Sequence, residues 1–356
     1  MITATTPRLI NLRTVLPQRT LQFPSPATQS WKPAQSGRRL LRIALRYGYL
    51  TRDLAALAYT HAHPRGVGAS HVRDELTDLV RNGYLHRFYR PVDPRSGSRQ
   101  YVYAASVKAA HLFDDEHHWT RSTLKQISNR ANPHRDYDHQ LGLALLRILW
   151  DAGSVPYTDP AQPETYRFQT VAYWDHPHTF SVRVASKRAQ VRPDTTILLY
   201  RHYEAENRRH HRRIHVELER TRKNLKRTDW RFLLYRELLA DPQGQVARAI
   251  KAQAGVAPEQ ASALFIAADH EHMLQLLSSA ETALNLERLK RQRRTKELPD
   301  LWFTSLDQIV RSDLQIDPRT GKEHLVETII EPAALFTRPL CRNLLGQQGT
   351  ILDLRA

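Results

Sequence analysis

Three acidic residues in a basic chain have types and spacing that suit phosphate chemistry. Arg192-Pro193-Asp194 leads into a strand-like run from Thr196 to Tyr200, and Glu217-Leu218-Glu219 closes a second run that begins at Ile214. Strand side chains alternate between faces, so Glu217 and Glu219 share one, and Asp194 at the start of a neighbouring strand can converge on them. A hard divalent cation such as Mg²⁺ takes one or two carboxylates together with substrate phosphate and water. Such an ion would polarise phosphorus and lower the pKa of an attacking water. The same residues also suit plain turn chemistry at Pro193-Asp194 and strand glutamates paired with Arg212, Arg213, Arg220 or Arg222, which crowd the neighbourhood.

The field around these carboxylates is positive. Lys and Arg number 53 against 36 Asp and Glu, a formal charge of +17 in 356 residues, with a sequence pI near 10.2. A field of that sign concentrates nucleic acid or anionic lipid. Mean hydropathy is −0.57, and no run approaches the roughly 18 apolar residues that span a bilayer. The expected partner is therefore double-stranded DNA, with no membrane. A single cysteine, Cys341, excludes an internal disulfide and Cys-based zinc sites and fits a cytoplasmic protein. No Gly-x-x-x-x-Gly-Lys-Ser/Thr loop is present, which argues against an ATP-driven motor. Two basic blocks, Arg208 to Arg213 and Arg288 to Lys296, sit in the half of the chain that holds the carboxylates; Arg212 and Arg213 would keep phosphates close to them.

The elements that must position these residues fall into groups. Residues 1–36 carry five prolines and four basic residues and no acid, the composition of a flexible basic arm. Residues 37–113 read as three short helices and a hairpin. One helix covers Arg38 to Tyr47 and stops at Gly48, Thr51 caps a second, and Ser70 caps a third whose Val72, Leu76, Leu79 and Val80 form one apolar stripe ending at Asn82-Gly83. Tyr84 to Arg90 and Arg99 to Ala104 then alternate about a turn-rich loop. That is the order of a winged helix-turn-helix. Ser70, His71, Arg73, Thr77 and Arg81 would enter the major groove, and wing residues Arg87, Arg90, Arg95 and Arg99 would reach flanking phosphates.

Residues 114–135 are polar and His-rich and read as a linker. From Asp136 to about 309 an apolar helix, strands and further helices alternate, the pattern of an α/β layer on a central sheet. Residues 310–356 read as an extension of undefined role.

The acidic residues in this order resemble the PD-(D/E)xK nuclease superfamily, whose core runs helix, three strands, helix, strand, with Asp at the second strand and Glu-x-Lys at the third. The resemblance implies that Asp194 and Glu217 hold the metal. Glu219 stands where that family usually has lysine, which either moves the lysine's role to Lys223 or Arg220 or marks a core that no longer cuts. From about Arg38 to Asp307 the chain also resembles the plasmid replication-relaxation proteins of mobile genetic elements, through "NGYLHRFYRP", "RQYVYA", "DHQLGLALL", "RPDTTILLY", "HVELERT", "WRFLLYREL", "ALFIAADHEHMLQLL" and "LWFTSLDQI" in that order. This resemblance implies a DNA-binding protein of such an element, either a Mg²⁺-dependent endonuclease or nickase or a non-catalytic transcription or copy-number regulator. In the regulator reading the degenerate nuclease core serves for DNA holding or dimerisation, so a homodimer is a candidate assembly, and replication or transfer proteins of the host element are candidate partners.

Overall fold

The computed structural model describes residues 31–62, 69–89, 101–116, 119–131, 137–153, 156–158, 165–174, 179–184, 187–203, 208–219, 225–241, 244–254, 260–292, 298–316, 323–329 and 338–349. It is a mixed α/β protein. Its chain divides into two compact units, with the boundary between Ile148 and Leu149 inside a helix and residues 314–325 returning to the first unit.

In the first unit, α1 (Gln35–Tyr47) buries Leu40, Leu41, Ile43, Ala44 and Tyr47 along one stripe and stops at Gly48, whose φ of 86° lies in left-handed space that costs glycine little. After β1 (Tyr49–Thr51), the Thr51 hydroxyl accepts the Leu54 N–H at 3.2 Å and opens α2 (Arg52–Ala62). Next comes α3 (Ala69–Arg81), which places Ser70 within its first turn rather than before it. Gly83, with φ 73°, closes it, and Tyr84 N–H reaches back to Leu79 O at 2.9 Å. Two antiparallel strands follow, β2 (Leu85–Tyr89) and β3 (Tyr101–Ala105), and β1 pairs on the far side of β3, giving the order β1-β3-β2. Trp31, just ahead of α1, lies 5.8 Å from the Tyr84 ring; the rest of the basic arm falls outside the described residues.

The stretch expected to be a linker is partly helical. After α4 (Val107–His111), Thr120 caps α5 (Arg121–Asn129), and Ile127 is buried. The apolar positions there are too few to reveal a helix in so polar a run. The following α6 (Tyr137–Gly153) buries Leu141, Leu143, Ala144, Leu145, Leu146, Ile148, Leu149 and Trp150, so apolar residues cover it nearly all round, as in an internal helix.

The second unit is organised by an eight-stranded sheet in the order β15-β14-β11-β10-β9-β8-β5-β4. Its strands are β4 (Pro156–Thr158), β5 (Thr165–Trp174), β8 (Thr195–Tyr203), β9 (Arg208–Glu219), β10 (Gln260–Ala267), β11 (Leu301–Ser305), β14 (Cys341–Asn343) and β15 (Gln348–Gly349). A hairpin of β6 (Phe180–Val184) and β7 (Lys187–Val191) lies between β5 and β8 in the chain, and β12 (Val310–Ile316) pairs with β13 (Glu323–Ile329). Among the described residues, β9, β10 and β11 are mutually parallel.

Parallel neighbours need a crossover, and helices supply it. The first is α7 (Leu225–Ala240) with α8 (Gln245–Ala254), and the second is α9 (His270–Ala283) with α10 (Leu286–Arg291), separated where Asn285 takes a φ of 52°. Strands covered on both faces need apolar residues at successive positions. Accordingly β10 is buried from Ser262 to Ala267 and β11 throughout. Within the C-terminal extension of undefined role, β14 pairs antiparallel with β11 and β15 with β14, extending the sheet. No helix among the described residues is long and apolar enough to cross a membrane.

The core under α7 and α9 is aromatic. Phe265 lies 5.0 Å from Phe232, 5.2 Å from Tyr235 and 5.5 Å from Phe303. Replacing Phe265 with Ala is expected to lower unfolding stability by about 3–5 kcal/mol, through lost transfer energy plus a cavity. Urea denaturation measures it, and a loss under about 1 kcal/mol would contradict this packing.

Candidate functional site

The carboxylates meet where β8 starts and β9 ends. Asp194 clasps β9 twice: its N–H donates to Val216 O at 3.1 Å, and its Oδ2 accepts the Leu218 N–H at 2.8 Å. Glu217 and Glu219 lie two apart on β9, opposite Phe265 and Ala267 of β10. Over that face lies α7. Tyr235 donates its hydroxyl to Glu217 Oε1 at 2.5 Å, and Arg231, one helical turn earlier, sets Nη1 at 3.7 Å from Glu217 Oε2 and in ion contact with Glu219 Oε1.

The cluster is nearly dry. Glu219 is 3% exposed, Glu217 9% and Tyr235 0%. Burial drives the Tyr235 hydroxyl well above its ordinary pKa, and the charge and hydrogen bond of Glu217 and the charge of Asp194 push it further, against a smaller opposing effect of Arg231. Tyr235 therefore stays protonated and serves as a donor. Both Asp194 and Glu217 act on its phenol, so the strand start and the strand end share one electrostatic neighbourhood.

The same face of β9 continues polar towards its beginning. His215 is fully buried, shares a 2.9 Å hydrogen bond with Thr196 Oγ1 and meets the Phe180 ring edge-on at 5.5 Å, while its Nε2 has no partner. Burial, then the charge of Arg213, holds its pKa well below the ordinary imidazole value. Arg213 is itself buried and lies 3.6 Å from Asp241 at the end of α7. One face of one strand thus reads Arg213, His215, Glu217, Glu219, and α7 with its terminal Asp241 answers three of the four.

The donor set bears on magnesium. Asp194 Oδ2 accepts a backbone N–H, Glu217 Oε1 accepts the tyrosine hydroxyl, and the guanidinium of Arg231 faces an oxygen of each glutamate. Among the described residues no group of three or more His, Cys, Asp or Glu is placed to hold a metal ion. As they stand, these oxygens fit a guanidinium and a phenol rather than a divalent cation. Lys223 and Arg220, the two expected stand-ins for a lysine, lie outside the described residues. Arg231 escaped the sequence reading, because its role depends on α7 lying over β9 beside the buried Phe232, Tyr235 and Leu238.

The residues expected to touch DNA are distributed differently. On α3, Arg73 and Arg81 are exposed, but Arg73 Nε lies 3.1 Å from Asp74 and Arg81 Nη1 3.5 Å from Asp78. His71 is 3.8 Å from Glu75, and the Thr77 hydroxyl donates to Arg73 O at 3.0 Å. Ser70 is placed in the helix by its backbone alone, and Arg90, Arg95 and Arg99 lie outside the described residues.

Of three arginines read as phosphate contacts, Arg87 and Arg213 are buried and Arg212 is part-buried. Arg87 is 8% exposed because it stands opposite Tyr103 in the β2-β3 ladder and its guanidinium lies 4.5 Å from the Tyr101 ring centre. Arg212 is tied to Asp300 at 3.1 Å and Ser262 at 3.2 Å where β9 meets β10, and Arg213 is buried against Asp241.

A family model described as replication-relaxation matches residues 47–252, from the first helices through the carboxylate cluster to α8. The chain belongs to the replication-relaxation family. Neither a curated protein nor a solved structure matches it. In this replication-relaxation protein the matched span contains Asp194, Glu217, Glu219, Arg231 and Tyr235, so the whole network lies within the family region.

Two outcomes follow from the network. Arg231→Ala leaves two buried carboxylates without their cation and is expected to cost about 3–5 kcal/mol of stability, read by denaturant unfolding. The second concerns pH. Because His215 is held neutral when folded while an unfolded histidine titrates near 6.5, the unfolded chain binds the extra proton and stability falls as pH drops below about 6.5. Replacing His215 with Gln is expected to shrink the stability difference between pH 7.5 and pH 5.5; an unchanged difference would assign that acid sensitivity to other groups.

Proposed function

We propose that this replication-relaxation protein is a DNA-binding protein of a mobile genetic element that grips duplex DNA through a winged helix and uses a nuclease-like α/β domain as a holding platform rather than a cutting one. The winged-helix reading is supported by three helices and an antiparallel β1-β3-β2 sheet in the first unit, with α3 presenting His71, Arg73, Thr77 and Arg81 off its buried stripe. The PD-(D/E)xK reading is supported by chain order: α6, then antiparallel β5, β8 and β9, then α7, then β10 parallel to β9, with Asp194 before the second of these strands and Glu217 and Glu219 on the third.

The observation that carries the non-cutting reading is Arg231, which lies in ionic reach of both glutamates in a nearly dry pocket. Releasing both glutamates to a metal means moving that guanidinium. A second reading, a Mg²⁺-dependent nickase using Asp194 and Glu217, is favoured by their shared action on Tyr235. Supercoiled plasmid incubated with the protein and Mg²⁺ or Mn²⁺ separates the two. The plasmid is expected to shift in a gel and stay supercoiled; nicking that disappears in both Asp194→Ala and Glu217→Ala would overturn the holding role and establish the nickase.

A further inference from the structure

The helix that opens the first unit carries the charge that α3 lacks. The first acidic residue of the chain is Asp53, and nine lysines and arginines precede it. Four of these, Arg38, Arg39, Arg42 and Arg46, stand on α1. Successive helical residues turn by about 100°, so the four fall within one sector of about 100°, away from the buried Leu40, Leu41, Ala44 and Tyr47. Arg46 is exposed, and Arg38, Arg39 and Arg42 are part-exposed. The stripe is about 12 Å long, at about 1.5 Å per residue, which matches three to four phosphates of one DNA strand at about 3.4 Å each.

The surrounding structure holds this stripe without neutralising it. Arg38 and Arg42 lie over the Phe113 ring, with their guanidinium carbons 5.2 and 4.7 Å from its centre. Glu116 takes Arg42 in a fork, accepting from Nε at 3.1 Å and from Nη2 at 2.5 Å, and lies 3.7 Å from Arg38 Nη2. A guanidinium grips a phosphate by the same fork, so Glu116 stands where a phosphate would. Its side chain is 40% exposed, and a pair so open to water is weak and readily exchanged. Arg130 plays another part: its Nη1 donates to Ala44 O at 3.3 Å and Leu45 O at 3.4 Å, closing the end of α1. In the first turn of α1, the Ser36 hydroxyl donates to Glu75 of α3 at 2.5 Å and ties the two helices together.

We propose that the arginine face of α1 is the phosphate contact of the first unit, with Glu116 as a built-in competitor for Arg38 and Arg42. The proposal rests on duplex DNA being the partner, and it divides the grip between two helices. On α3, Arg73 and Arg81 already face Asp74 and Asp78, so that helix is left to meet base edges while α1 supplies the salt-dependent hold. Phosphate contacts carry no sequence information, so the hold from α1 is the same on any duplex.

Fluorescence anisotropy with labelled duplex DNA, measured across salt concentrations, tests it. Combining Arg39→Ala with Arg46→Ala is expected to lower the salt slope by about 0.9 for each arginine, which over the tenfold from 1 M to 0.1 M salt is about an 8-fold loss of affinity apiece. Two duplexes of unrelated sequence should lose equally. Arg39→Lys with Arg46→Lys keeps both charges and should keep the slope. Glu116→Gln keeps the size of the side chain and removes the competing charge, so it should bind duplex tighter than the wild-type chain, by about 8-fold for each guanidinium released. Should the double alanine variant unfold, Glu116→Gln decides, because it leaves α1 intact. An unchanged slope in the double alanine variant, or Glu116→Gln binding no tighter than wild type, overturns the α1 contact and leaves the winged-helix reading standing. No duplex binding by the wild-type chain overturns both.

Discussion

The second unit depends on the fit of α7 over β9. A parallel pair of strands can be joined only by a crossover, so something must lie on β9, and the face of β9 that receives α7 carries Arg213, His215, Glu217 and Glu219 instead of an apolar stripe. Desolvating such a row is prohibitive unless each group is answered. Arg231 answers the two glutamates, Tyr235 answers Glu217 again, and Asp241 at the end of the helix answers Arg213. Between these contacts Phe232 and Leu238 enter the apolar core with Phe265 and Phe303. The register of α7 is thus set by charge as well as by packing: a shift by one turn would set the guanidinium where the phenol belongs.

Much of this was legible before any coordinates. The run Leu301 to Ser305 reads as a strand because it is short, apolar and bounded by Pro299-Asp300, and β11 covers the same residues. The stripe Val72, Leu76, Leu79, Val80 places α3 because burial repeats with the helical period. The alternation of Glu217 and Glu219 correctly put them on one face. What stayed hidden was long-range. Pairing of β14 and β15 depends on contact with β11, some forty residues earlier, and a three-residue strand has no periodicity of its own. The hairpin strand β7, Lys187 to Val191, is mostly polar because much of it faces water. Arg231 could be read only once α7 was known to lie over β9.

The first unit shows why charge counts mislead when read one residue at a time. Its α3 exposes two arginines and two aspartates in adjacent pairs, so the solvent face of that helix is close to neutral although the chain carries +17. Exposed pairs of this kind are weak, about 0–1 kcal/mol, and exchange partners readily. Arg87, by contrast, is a fixed part of the sheet. Basic residues available to a polyanion are therefore a smaller set than the composition suggests, and they are those without a fixed role in packing.

The strands nearest the C-terminus, β14 and β15, cap β11, the outermost parallel strand. Until they arrive, β11 presents a row of unsatisfied N–H and C=O groups along a strand whose Leu301, Trp302 and Phe303 are apolar, the template that edge-to-edge aggregation uses. Synthesis proceeds from the N-terminus, so the ribosome releases this vulnerable edge before the segment that seals it. The last residues of the sheet act as a selvedge: they contribute little area, and they keep the woven part from joining onto a neighbour.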